Sequence, residues 1–112
     1  EFVMARRSWN KLVRDKIPDY LAARGIASQT RKLDDDEYYQ ELRKKLQEEV
    51  AEYLEAETPE SRCEERADIC EVLAALAMFE DGDMDQVEEV KEKKLQERGG
   101  FFHRIFLIET NE

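Results

Sequence analysis

Between residues 34 and 98 the chain contains just two helix breakers, Pro59 and Gly82, and they divide this stretch into three long segments. Proline removes a backbone donor and glycine weakens a helix interior, so this punctuation sets where helices stop and restart. Gly25 and the Gly99-Gly100 pair mark two further stops, and Pro18 marks an early start. With 41% charged residues and a net charge of −10, the composition excludes a disordered low-complexity chain and favours a charged helical domain.

The segment "DDDEYYQELRKKLQEEVAEYLEAE" opens with acids that complement a helix N-terminus. Tyr39, Leu42, Leu46, Val50 and Tyr53 then recur at helical intervals, which predicts a long amphipathic helix. "TPES" breaks it, with Pro59 suited to a first helical turn and "SRCE" at residues 61–64 fitting a capping box. The next helix is expected to run to Glu80. Its "ICEVLAALAMF" stretch is apolar nearly all round apart from Glu71, which places it centrally in an oligomeric assembly.

After the "EDGD" turn, Met84–Arg98 is expected as another helix with a narrow apolar stripe through Val87, Val90 and Leu95. "DKIPDYLAARG" forms a short helix opened by Pro18 and closed by Gly25. "FFHRIFLIE" is rich in β-formers and is expected as a short strand, with residues 31–33 as a possible pairing partner. The expected fold is therefore all-α, an antiparallel helical bundle completed by oligomerisation, with a short terminal β element. Residues 4–112 form one domain, and Glu1, Phe2 and Val3 ahead of Met4 read as added residues without functional weight.

Acidity argues against a nucleic-acid polymer as partner, since a phosphate backbone rewards a basic face. The uncharged run "VLAALAMF" is far shorter than the roughly 20 residues needed to cross a bilayer, so no membrane is expected. Cys63 and Cys70 lie about 10.5 Å apart along one helix axis, too far for a disulfide. Free thiols without a recognisable secretory signal fit a cytoplasmic setting.

Four carboxylates stand out. Glu49 and Glu52 are three residues apart near the end of one helix, and Glu65 and Asp68 repeat that spacing near the start of the next. Glu49 falls at the edge of the apolar arc and Glu65 on the side of Ile69, Val72 and Leu76, with Glu52 and Asp68 each about 60° farther round. A short connection makes the helices antiparallel neighbours, so the pairs can converge. Converging carboxylates lose hydration and repel, and they require a cation. Spacing leaves two readings open: a hard divalent metal, Mg²⁺ or Mn²⁺, or ordinary surface acids paired with Lys44, Lys45, Arg62 or Arg66.

The residues "EEVAE" followed by "EERAD" resemble the ExxE…ExxD signature of the MazG-like superfamily of all-α nucleoside triphosphate pyrophosphohydrolases, which includes phosphoribosyl-ATP pyrophosphohydrolase. "NKLVRDKIP" and "ERGGFFHRIFL" look like the ends of a small stand-alone branch, so the resemblance covers nearly the whole chain. It implies Mg²⁺-dependent cleavage of a nucleoside triphosphate between its α and β phosphates, with nucleotide-pool cleaning as the role the family suggests, by a homodimer or higher homo-oligomer. Carried over by position, Glu49, Glu52, Glu65 and Asp68 would be the metal ligands.

Glu48 is the local candidate to orient water or accept its proton. Lys94, Arg98, Arg104, Arg14 and Lys16 are candidates for phosphate contact, since the acidic cluster supplies no donors for the triphosphate. Phosphoribosyl-ATP hydrolysis shares the fold and chemistry and stands as an alternative, as does a noncatalytic helical module that binds nucleotide or a partner.

Overall fold

The computed structural model describes residues 6–80 and 82–112, and the added residues expected at positions 1–3 lie outside them. The described residues form four helices: α1 (Ile17–Ala23), α2 (Asp35–Glu55), α3 (Pro59–Glu80) and α4 (Met84–Arg98). No strand occurs among the described residues, so the fold is all-helical.

Local chemistry explains the boundaries. Asp34 caps α2 by accepting from the Glu37 N–H at 2.9 Å, and Asp83 caps α4 by accepting from the Gln86 N–H at 3.3 Å. Gly25 adopts φ +73 just past α1, a backbone state that suits glycine. The α3 cap lies three residues before the expected "SRCE" box. The Ser61 N–H donates to Thr58 Oγ1 at 3.1 Å while the Thr58 N–H donates to Ser61 Oγ at 3.4 Å. Because Pro59 takes the first helical position, the residue before it becomes the cap.

α2 and α3 pack along each other as an antiparallel hairpin. Tyr39 near the start of α2 stacks on Phe79 near the end of α3, with ring centroids 5.6 Å apart, and Tyr38 meets the same ring edge-on. Leu42, Val72 and Leu76 form the buried core among the described residues, with Leu12, Tyr38, Tyr39, Leu46 and Ala75 packed around it. Leu12 thereby ties the segment before α1 to the hairpin. α4 packs against α3 alone.

The expected terminal strand does not form in the protomer. Residues 101–103 turn, Arg104 takes φ 60, and the rest of the segment runs irregular and exposed. A β-rich segment needs an edge to pair with. The proposed partner near Arg31 is itself without strand structure, although the Arg31 side chain forms a two-pronged ion pair with Glu37 at 2.8 and 3.2 Å. The apolar surround expected for α3 is also only half covered: Val72 and Leu76 are buried, but Met78 is 71% exposed.

Candidate metal centre

The three-residue link between α2 and α3 holds the end of one helix beside the start of the other, which brings the two acidic pairs together. One carboxylate oxygen from each of Glu49, Glu65 and Asp68 lies within 4.8 Å of the others. Glu49 is only 7% exposed, the one charged side chain in the core among the described residues. Its Oε2 and the Oε2 of Glu65 are enclosed with no hydrogen-bond partner there. Leaving such atoms unpaired costs about 1–3 kcal/mol each, more for charged groups, so the native state must draw on something else to satisfy them.

Basic side chains reach the cluster only at its margin. Lys45 Nζ is 3.7 Å from Glu49 Oε1, one turn away on α2. Arg14 Nη2 donates to Asp68 Oδ1 at 2.7 Å from the segment before α1. Burial raises the Glu49 carboxyl above its ordinary range, and the close approach of Glu65 adds to this. The Asp68 charge reinforces the shift, and Lys45 opposes it weakly. Glu52 is raised too, by loss of hydration first and by the Glu49 charge second.

A divalent cation fits this donor set. Oxygens around one Mg²⁺ at about 2.1 Å stand no more than about 4.2 Å apart, so three oxygens within 4.8 Å of one another need at most a small closure to share one ion. The two partnerless buried oxygens supply the need that a hard cation meets. Glu52, the fourth expected ligand, is exposed and lies outside the three-residue group, although the Glu49 charge is close enough to help raise its carboxyl.

The remaining expected residues divide clearly. Glu48 is half-buried, next to Glu49 on α2. Of the five basic candidates, Arg14 reaches the cluster. Lys16, Lys94, Arg98 and Arg104 are exposed, and no hydrogen bond or ion pair joins their side chains to it among the described residues. Lys94 and Arg98 ride on α4, which does not pack against α2.

The surface-acid reading named four bases, and the structure gives two of them other work. Arg62 donates to the Ala56 carbonyl at 3.1 Å and so closes the end of α2, while Arg66 lies over the Tyr53 ring at 5.7 Å. Lys45 does pair with Glu49. The Arg14–Asp68 pair was not foreseen. Its signal in the sequence is Leu12, an apolar anchor two residues ahead of Arg14 that fixes the segment against the hairpin.

No family model matches the chain, and no solved structure matches it. Comparison with curated proteins finds an uncharacterized protein of Mycolicibacterium smegmatis that is 46% identical over 54 residues, 48% of this chain and 55% of that protein. The match therefore spans about half of that relative's length, and its description assigns no activity.

Proposed function

We propose that the protein is a divalent-cation-dependent nucleoside triphosphate pyrophosphohydrolase, releasing a nucleoside monophosphate and pyrophosphate. One observation carries this reading: Glu49, a buried glutamate with an unpartnered oxygen, brings a carboxylate oxygen within 4.8 Å of those of Glu65 and Asp68. The resemblance of "EEVAE…EERAD" to the MazG-like signature points the same way.

In this reading Glu49, Glu65 and Asp68 hold Mg²⁺, or Mn²⁺ in its place, and Glu52 completes the set. When bound, such an ion neutralises phosphate charge and acidifies coordinated water. Glu48, half-buried beside the cluster, accepts the proton from the attacking water. Arg14 supplies positive charge at the rim, where phosphate oxygens accumulate negative charge. The protomer works within a homodimer or larger homo-oligomer, which covers the exposed apolar surface of α3, α4 and the C-terminal segment.

No helix among the described residues is long and apolar enough to cross a membrane. A cytoplasmic setting accords with that and with Cys63 and Cys70 as exposed free thiols.

The test is incubation with a panel of ribo- and deoxyribonucleoside triphosphates and phosphoribosyl-ATP, with and without Mg²⁺. Products are separated by chromatography alongside Glu49→Gln. Metal-dependent monophosphate and pyrophosphate, lost by at least about a hundredfold in the variant, is the expected result. Turnover of phosphoribosyl-ATP alone would move the protein to that narrower reaction. Binding without turnover of any substrate would sink the enzymatic reading in favour of a noncatalytic module.

A further inference from the structure

With Glu52 counted beside Glu49, Glu65 and Asp68, the acids carry one more negative charge than a divalent ion and Lys45 together balance, and a triphosphate brings still more. Some cation must therefore serve both states of the site. Among the described residues, Arg14 is placed to do so. Its backbone is fixed on both sides: Leu12 packs on the Leu42–Val72–Leu76 core, and the Arg14 carbonyl accepts from the Ile17 N–H at 3.1 Å as the chain enters α1.

The guanidinium itself is loosely held. Its side chain is 56% exposed, and it uses a single N–H, on Asp68 Oδ1 at 2.7 Å. The rest of its donor fork is unspent, in a geometry suited to phosphate oxygens. An ion pair this open to water is weak and exchanges readily. The deep oxygens Glu49 Oε2 and Glu65 Oε2 receive nothing from it and remain without a partner.

We propose that Arg14 exchanges partners at this site: it neutralises Asp68 when the cluster is metal-free, and turns to the phosphates of the substrate once a divalent cation engages Asp68. This rests on the reading of the cluster as a metal centre and goes beyond it. It makes Arg14 a competitor of the metal and a ligand of the triphosphate. A residue that merely orients Asp68 as a metal ligand would aid metal binding instead.

Two affinities separate these roles. Mn²⁺ binding to the metal-free protein is followed by electron paramagnetic resonance, and binding of Mg²⁺-saturated inorganic tripolyphosphate by calorimetry, a probe that needs no knowledge of the base. Both are measured on the wild type, Arg14→Gln, Arg14→Lys and Arg24→Gln. Arg24 lies over the Tyr20 ring on α1 and serves as the control for general charge loss.

Arg14→Gln should bind Mn²⁺ as tightly as the wild type or a few-fold more tightly. It should lose about tenfold or more in tripolyphosphate affinity, the scale of one charged hydrogen-bonding group. Arg14→Lys should keep part of that affinity, and Arg24→Gln nearly all of it. Weaker Mn²⁺ binding in Arg14→Gln, unchanged tripolyphosphate binding, or an equal loss in Arg24→Gln would each overturn the exchange while leaving the metal centre standing. A wild type that binds no Mn²⁺ would remove both.

Discussion

Glu49 faces a conflict that its neighbours cannot resolve. It is almost fully buried, it approaches Glu65, and Lys45 reaches only one of its oxygens. Burying charge without full pairing destabilises the native state, and removing the charge while keeping the shape relieves that penalty. Glu49→Gln should therefore raise the stability of the metal-free protein by about 1–2 kcal/mol in urea denaturation. With saturating Mg²⁺ the order should reverse, because only the wild type gains binding energy, about 2.7 kcal/mol at a hundredfold excess over Kd.

The direction with pH follows from the same residue. The carboxyls of Glu49 and Glu52 are raised, so the folded protein binds their protons more tightly than the unfolded chain does. This contribution is fully present below the ordinary glutamate range and is lost as pH rises through the raised values. Glu37, lowered chiefly by its Arg31 hydrogen bonds, acts oppositely: its contribution is present above the ordinary range and is lost as pH falls through its lowered value. Between the ordinary glutamate range and neutrality, acidification should stabilise the metal-free wild type relative to Glu49→Gln. Parallel stability curves for the two proteins in that window would refute the assignment of Glu49.

At the scale of elements, the site depends on the link that sets α2 against α3. The reciprocal Thr58 and Ser61 hydrogen bonds start α3, and the Arg62 contact with the Ala56 carbonyl finishes α2. Thr58→Ala should cost about 1 kcal/mol of stability, read as a lower urea midpoint. Mn²⁺ affinity should fall with it, because Glu65 and Asp68 lie within the first turns after this cap. A loss of stability with metal affinity intact would mean that the cap steadies α3 without positioning the acids.

This link also shows what was legible in the sequence. Pro59, Gly25, Gly82 and the Gly99-Gly100 pair punctuate the chain, and the helices end where those residues say they should. The convergence of Glu49, Glu65 and Asp68 followed from matching spacings across a short turn. The start of α3 at Pro59 was legible, while "SRCE" fits a capping box equally well, and the seat taken by Pro59 decides between them. The C-terminal strand was misread for a different reason: β propensity describes a surface that fits a sheet, and it cannot supply the second strand. Arg14 was legible as a basic residue near phosphate chemistry, but its partner lies 54 residues away on another helix, beyond what spacing within one helix can reveal.

The whole molecule is too extended to be a finished globular unit. Its radius of gyration is 19.5 Å over dimensions of 74 × 34 × 25 Å, where a compact chain of this length would have about 13 Å. Its accessible surface is 10962 Å², against about 6,500 Å² for a folded monomer of this mass. That excess, about 4,500 Å² on one chain, is larger than the roughly 1,000–2,500 Å² that each partner contributes to an obligate interface. Phe101, Phe102, Ile105, Phe106, Leu107 and Ile108 are each 75–97% exposed, and Val87, Val90 and Leu95 on α4 are exposed as well. So many exposed large apolar side chains are rare on a monomer.

Burying a large apolar side chain contributes about 1.5–3 kcal/mol. Six of them approach the cost of association, about 4–15 kcal/mol, before α3 and α4 add their share. Sedimentation should therefore find the wild type as a dimer or larger species at micromolar concentration. Phe106→Asp with Ile108→Asp should shift it toward monomer and lower its midpoint of unfolding. If the assembly survives those charges, the contact lies instead on the exposed faces of α3 and α4. A wild type that sediments as a monomer with the frictional ratio of a compact sphere would overturn both the assembly and the open arrangement of α4.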